Sequence, residues 1–357
     1  MPHNAPVGIV ANPYSARDIR RLVAHASALQ VSDRANIVLR VLAGLGAAGV
    51  DEVLMMPDKG GIRALLRREL QRLPQHSTAS WPRVRSLDMP VAGTVDDTLS
   101  AVETMGTEGV RALIVLGGDG THRAVASRCG DIPIAGLSTG TNNAFPEFRE
   151  PTVVGLATGL VARGAVSLAS ACRPNKALRV VDASGREDLS LVDVCVTSER
   201  FVGARALWRP STFRELFVTF AEPGSIGMSA IAALLTTVRR DAPHGLRVLL
   251  GPPEQCTTLV QAPIAPGLVA EVGIVEHAPL PAASPEPIRT RSGAVALDGE
   301  REIEIHGSST LSVTLEIDAV RTIDSERVMT QAAREGLLTR STVPEAGRIK
   351  SGGAGKT

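Results

Sequence analysis

The run Leu116-Gly117-Gly118-Asp119-Gly120-Thr121 constrains this chain more than any other feature. It follows the apolar segment Ala112–Leu116 and precedes a helical stretch that opens near His122. Bare glycines at 117, 118 and 120 let a polyphosphate approach the main chain. The N–H groups there, with the positive end of the next helix, then point at phosphate oxygens. Asp119 is the informative residue, because a carboxylate beside phosphates is repulsive unless it has a task. It accepts a proton from an attacking hydroxyl, or it holds Mg2+ that offsets the charge. The plainer alternative is a tight strand-to-helix turn with Asp119 as a helix cap.

The segments around this run alternate between short apolar strands and helical stretches. Val7–Ala11, Val50–Met56, Val84–Met89, Ala112–Leu116 and Ile132–Leu137 read as strands. Arg17–Leu29, Asp33–Ala48, Ile62–Leu73 and a stretch from Thr94, its cap, to about Met105 read as helices. This order predicts a Rossmann-like α/β domain over 7–150, with a parallel sheet covered on both faces and ligands beyond the carboxyl ends of its strands. After a helix from about Thr152 to Ala162, short strands separated by Gly, Pro and Asp predict a mainly antiparallel β-sandwich over 151–320. They are Leu178–Val181, Leu189–Val196, Leu246–Leu250, Thr257–Gln261, Leu268–Val275, Ala294–Leu297, Glu302–His306 and Thr310–Ile317, with a helix at Ile226–Val238 between them. A helix at Ser325–Gly336 lies in a segment, 321–343, expected to return to the first domain. Residues 344–357 read as a disordered tail.

Two further loops fall at the same predicted sheet edge. The strand Ile132–Leu137 ends in Ser138-Thr139-Gly140-Thr141-Asn142-Asn143, which offers hydroxyls and amides to ribose or phosphate. The strand Val7–Ala11 ends in Asn12-Pro13-Tyr14-Ser15. Taken alone, either is a polar turn; at one edge with the glycine run they make a nucleotide site.

Those residues resemble a known superfamily. Gly117–Thr121 is similar to the signature shared by NAD kinases and the diacylglycerol and sphingosine kinases. Asn12-Pro13-x-Ser15 and Gly140-Thr141-x-Asn143 resemble loops of the lipid-kinase branch, and Leu297-Asp298-Gly299-Glu300 resembles its Asp-Gly-Glu motif. Asp18–Arg21, Gly117–Thr121, Ser138–Phe145 and Phe201–Trp208 together look most like the NAD-kinase-like group named for acetoin catabolism, protein X. The resemblance implies an ATP-dependent kinase that phosphorylates a hydroxyl, of NAD (and so NADP biosynthesis) or of another small metabolite. It implies that Gly117, Gly118, Gly120 and Thr121 bind nucleotide phosphates with Asn12, Ser15, Thr139, Gly140, Thr141, Asn142 and Asn143. Asp119 and Asp298 are then catalytic, and Asp298 and Glu300 hold Mg2+. The residues themselves also allow Asp298-Gly299 to be a hairpin turn. NAD kinases carry Asn-Glu or Asn-Asp where this chain has Val192-Asp193, so Asp193 keeps part of a cofactor-binding role. A homo-oligomer, dimer or tetramer, is implied as well. The competing reading is a nucleotide or NAD(H) sensor without catalysis; a lipid kinase is disfavoured by the lack of an exposed apolar helix.

Composition narrows the partners. At 357 residues two domains are expected, and 44% hydrophobic with 21% charged residues is ordinary for a globular protein. A formal net charge of +1 and 3% aromatic residues supply neither the field nor the stacking surface that nucleic acid binding uses. No window approaches the roughly 18 uninterrupted apolar residues of a membrane span. The N-terminus lacks the pattern of a signal peptide. Four separated cysteines with no CxxC pair suit a reducing compartment, so a cytoplasmic location is expected. Gly44-Leu45-Gly46-Ala47-Ala48-Gly49 matches the dinucleotide fingerprint as a string, but it closes a helix instead of opening one and reads as a helix end. The seven histidines show no metal spacing.

Overall fold

The computed structural model describes residues 5–13, 29–72, 80–139, 143–200, 207, 209–307 and 310–339. Ser15, Gly140, Thr141 and Asn142 lie outside the described residues, as do most of the expected first helix, nearly all of Phe201–Trp208 and the tail from 340.

The first part runs β1 (Val7–Ala11), α1 (Val31–Ala47), β2 (Glu52–Met55), α2 (Ile62–Gln71), β3 (Arg83–Ser86), α3 (Val95–Thr107), β4 (Leu113–Gly117), α4 (Asp119–Ala126), β5 (Ile134–Ser138), α5 (Pro151–Ala162) and α6 (Leu168–Ala171). Then come β6 (Cys172–Asp182), β7 (Glu187–Ser190), β8 (Asp193–Thr197), β9 (Phe213–Val218), α7 (Met228–Ala233), β10 (His244–Gly251), β11 (Thr258–Ala265), β12 (Leu268–Pro281), β13 (Glu286–Pro287), β14 (Gly293–Leu297), β15 (Glu300–Ile305), β16 (Leu311–Ile323) and α8 (Ser325–Glu335).

β1 and β4 are buried at every residue, as strands covered on both faces must be. The first sheet has the order β3-β2-β1-β4-β5-β16-β6-β7, with β13 beside β16, and β1 to β5 pair in parallel. The Thr94 side chain accepts from the Asp96 N–H and starts α3, as its sequence predicts. The second sheet, β11-β12-β10-β9-β8-β14-β15, is antiparallel throughout. The fold class is therefore α/β with a parallel sheet, followed by an antiparallel sheet.

The sheets do not part near residue 150 as the composition suggests. β6, β7 and β16 extend the first sheet, β16 pairing in parallel with β5 at Thr322↔Ile134 and antiparallel with β6 along most of its length. The reason is hydrogen bonding, which composition does not reveal: β5 needs a neighbour on its open edge, and β16 supplies it. The second sheet then packs face to face on this extension. Leu178, Val180, Val313 and Leu315 from the first sheet share a buried cluster with Val194, Phe217, Val295 and Leu297 from the second.

Several elements differ from their sequence pattern. Leu189–Val196, apolar enough for one strand, is β7 and β8 with a turn at Leu191 and Val192. The expected helix Ile226–Val238 shortens to α7, and β9 had no sequence reading. The glycine run at 44–49 is indeed the end of α1. A Cβ on Gly44 would lie 2.2 Å from the Thr152 carbonyl oxygen, so this glycine lets α1 cross α5 at close range. α8 buries Val328 and Ala332 in the same core as α1, α5 and β1. Among the described residues no helix is long and apolar enough to cross a membrane.

Candidate functional site

β1 and β4 are parallel neighbours, so their carboxyl ends meet. The Asn12 N–H donates to the Leu116 carbonyl at 3.3 Å, and its side-chain amide donates to the Thr121 hydroxyl at 3.3 Å. Thr121 lies over Gly117, where an added Cβ would come within 2.4 Å of the threonine Cβ, so this position excludes any larger residue. From the next strand, the Thr139 N–H donates to the Gly117 carbonyl at 3.1 Å. The buried Thr139 hydroxyl has no hydrogen-bond partner among the described residues. Asn12, Gly117, Thr121 and Thr139 are thus gathered at one sheet edge. Asn143 sits beside them, its side-chain amide donating to Ser138 Oγ at 2.6 Å. Gly118 precedes α4 as its N-cap, and Gly120 faces open space bounded by Glu300 Oε1, 4.0 Å from where a Cβ would stand.

Asp119 is the first residue of α4, and its carboxylate is turned away from its own helix. Its oxygens accept from the Ala144 N–H at 3.1 and 3.0 Å and from the Phe145 N–H at 2.9 Å. Asp119 caps no helix; it fastens the loop that follows β5. The expectation of a proton acceptor meets a carboxylate that two main-chain donors hold in place.

Asp298 tells a similar story more strongly. Asp298 and Gly299 have φ of 51° and 78°, and Leu297 pairs with Glu300, so the motif is a two-residue hairpin turn. The Asp298 side chain is buried. It accepts from Ser190 Oγ at 2.6 Å and from the N–H groups of Leu191, Val192 and Asp193 at 3.1, 2.8 and 3.3 Å. This is what breaks β7 from β8. Burial pushes its carboxyl pKa up, opposed by Arg123, Ser190 and the amides. The Asp193 carbonyl in turn accepts from the Asp298 N–H, so Asp193 belongs to the same turn.

The two motifs, far apart in sequence, do meet in space. Besides the approach of Glu300 to Gly120, Arg123 on α4 donates to Glu302 at 2.8 Å and lies 3.8 Å from both Asp298 and Asp188. The expected Mg2+ does not fit there. Oδ1 of Asp298 is taken by amides, Arg123 already supplies a positive charge 3.8 Å from Oδ2, and no three His, Cys, Asp or Glu among the described residues gather as a metal site. Asp298 shapes the turn between β14 and β15.

His122, next to the motif, is fully buried. Its Nδ1 lies 3.0 Å from the Gly118 carbonyl, which only accepts, so that nitrogen carries the proton. Burial lowers its pKa to about 4, against the raising effect of that hydrogen bond. The unfolded chain binds this proton near pH 6.5 and the native chain only near 4. Stability is therefore lost as pH falls through that window, by about 3 kcal/mol in total. Urea unfolding at pH 7 and pH 4.5 should show a steeper acid loss in the wild type than in His122→Gln; equal losses would contradict it.

With this geometry in hand, known proteins can be compared. A model of the ATP-NAD kinase N-terminal domain matches residues 7–165, and one of the acetoin catabolism protein X C-terminal domain matches residues 176–318. Acetoin catabolism protein X of Cupriavidus necator is 50% identical over 344 residues, covering 95% of this chain and 96% of its own. The chain belongs to the acetoin catabolism protein X family. Yeast NADH kinase, solved in complex with NADH, superimposes with a TM-score of 0.51 at 12% identity, covering 95% of this chain and 89% of that one. Both halves of this protein X family member thus share the NAD kinase fold.

Two arginines of this protein X family member escaped the sequence reading. Arg123 sits one turn after Asp119 in the same helix, and that spacing was a usable signal. Arg240 reaches the loop after β5 from the other half of the chain through main-chain atoms, and no side-chain motif announces it.

Proposed function

We propose that this chain binds adenine nucleotide at the edge formed by Asn12, Gly117–Thr121 and Thr139. There it acts as an ATP-dependent kinase, transferring a phosphoryl group to a hydroxyl of NAD or of another small metabolite. The observation that supports this is the convergence of the strand ends of β1, β4 and β5 on one open edge at the mouth of α4. The bond from the γ-phosphorus to ADP breaks, a bond to the acceptor oxygen forms, and the hydroxyl proton passes to water. Phosphoryl transfer rests chiefly on positioning and electrostatics. Asp119 is accordingly assigned as a positioning residue that shapes the loop at Ala144 and Phe145. No magnesium held by the protein is part of this reading.

A second reading, a nucleotide or NAD(H) sensor without turnover, is favoured by one observation: Asp119 and Asp298 are both committed to main-chain N–H donors. Incubation with γ-labelled ATP and a panel of acceptors that includes NAD and NADH separates the two. Label transferred to an acceptor hydroxyl supports the kinase. Calorimetric binding of ATP or NADH with no transfer to any acceptor supports the sensor, and absence of binding overturns both.

A further inference from the structure

The loop that Asp119 holds by its N–H groups is held by its carbonyls from the opposite side. Arg240 donates to the Ala144 carbonyl at 2.5 Å and to the Phe145 carbonyl at 3.2 Å. The guanidinium is itself fixed. It stacks 4.0 Å above the Phe220 ring, and its Nε donates to Glu222 at 3.2 Å. An isolated antiparallel bridge, Ala221↔Val238, brings the segment that bears Phe220 and Glu222 beside the one that leads into Arg240. The Ala144–Phe145 peptide unit is therefore gripped on both sides, its N–H by a carboxylate from the first sheet's glycine motif and its carbonyl by a guanidinium from the chain between α7 and β10.

We propose that Arg240 is a positioning residue for the nucleotide site, clamping the Ala144–Phe145 main chain against Asp119 so that the loop after β5 keeps its binding shape. This rests on the nucleotide-site reading above. The logic is geometric. Asp119 alone fixes the Ala144–Phe145 peptide by its N–H and leaves it free to pivot about that bond; a second grip on its carbonyl removes the pivot. A planar, bidentate donor suits two neighbouring carbonyls, which a lysine ammonium reaches one at a time. The stacking on Phe220 holds the planar group without a further hydrogen bond.

The test compares full-length wild type with Arg240→Gln, Arg240→Lys and the control Arg239→Gln. Arg239 is an exposed neighbour paired with Asp241. Two readouts are used, NADH titration and hydrogen exchange at the Ala144 and Phe145 amides. Arg240→Gln is expected to raise the exchange rate of both amides and the NADH Kd at least about tenfold each. Arg240→Lys should recover part of the affinity, and Arg239→Gln should match wild type in both. Unchanged amide exchange in Arg240→Gln overturns the clamp. Faster exchange with wild-type NADH affinity overturns the positioning role and leaves a structural contact. Wild type that fails to bind NADH or ATP sinks the nucleotide site and this role with it, while the exchange readout still decides whether the clamp exists.

Discussion

Asp119→Ala should cost the protein its nucleotide affinity and whatever turnover it has. The substitution strips the acceptor from two buried N–H groups, each of which then stands unsatisfied at about 1–3 kcal/mol. The loop bearing Asn143 loses one of its two grips, and the nucleotide loses a wall of its site. We expect kcat/KM for labelled phosphoryl transfer to fall roughly 100-fold, equivalent to about 2.7 kcal/mol, with NADH affinity falling alongside it. Asp119→Asn distinguishes the ways in which this carboxylate can matter. An asparagine oxygen at Oδ1 still accepts from both N–H groups, without the charge, so a positioning role predicts partial recovery of both binding and rate. A proton-accepting role predicts an unchanged KM and an Asn variant as slow as the Ala variant. Asp119→Ala binding NADH like wild type would remove Asp119 from the site altogether.

Asp298→Ala should produce the largest loss of stability. It leaves three consecutive N–H groups without their acceptor and Arg123 without one of its counter-charges, while Ser190 Oγ keeps the Asp193 carbonyl. Breaking a buried, hydrogen-bonded charge in this way costs about 3–5 kcal/mol. The alanine also inherits a φ of 51°, which L residues other than Asn and Asp resist. Asp298→Asn tolerates that backbone and keeps an oxygen where Oδ1 takes these bonds, so it should recover much of the loss and isolate the contribution of the charge. Urea midpoints at constant m report both. A loss under about 1 kcal/mol for the alanine variant would mean that water replaces the carboxylate and that the turn does not depend on it.

Much of the fold was legible because the first half obeys simple periodicities. Val7–Ala11 and Ala112–Leu116 are apolar on both faces, Thr94 announces α3, and the glycine run marks where a strand becomes a helix. The edge residues Asn12, Gly117, Thr121 and Thr139 follow from knowing where parallel strands end. What the chain does with its carboxylates was not legible. Asp119 and Asp298 look catalytic in a linear motif, and only their partners, the N–H groups of Ala144, Phe145, Leu191 and Val192, reveal main-chain fasteners. Backbone amides carry no residue identity, so no pattern of letters encodes them. The same holds for Arg240, which grips carbonyls, and for the break between β7 and β8, which falls within the mostly apolar segment 189–196 because a distant aspartate folds it. Glu215 repeats the device by accepting from the N–H groups of Arg289 and Thr290.

The position of β16 governs how this protein can be made. Residues 311–323 lie between β5 and β6 in the first sheet, so the interior of that sheet waits on a strand that is made only after every strand of the second sheet. A nascent chain of 165 residues has its five parallel strands but an open flank along β5, a template for mispairing. Assembly must then be late and all at once, with long loops closed before the final strand is rewarded. Truncating the gene before residue 311 should yield inclusion bodies instead of a free-standing nucleotide domain.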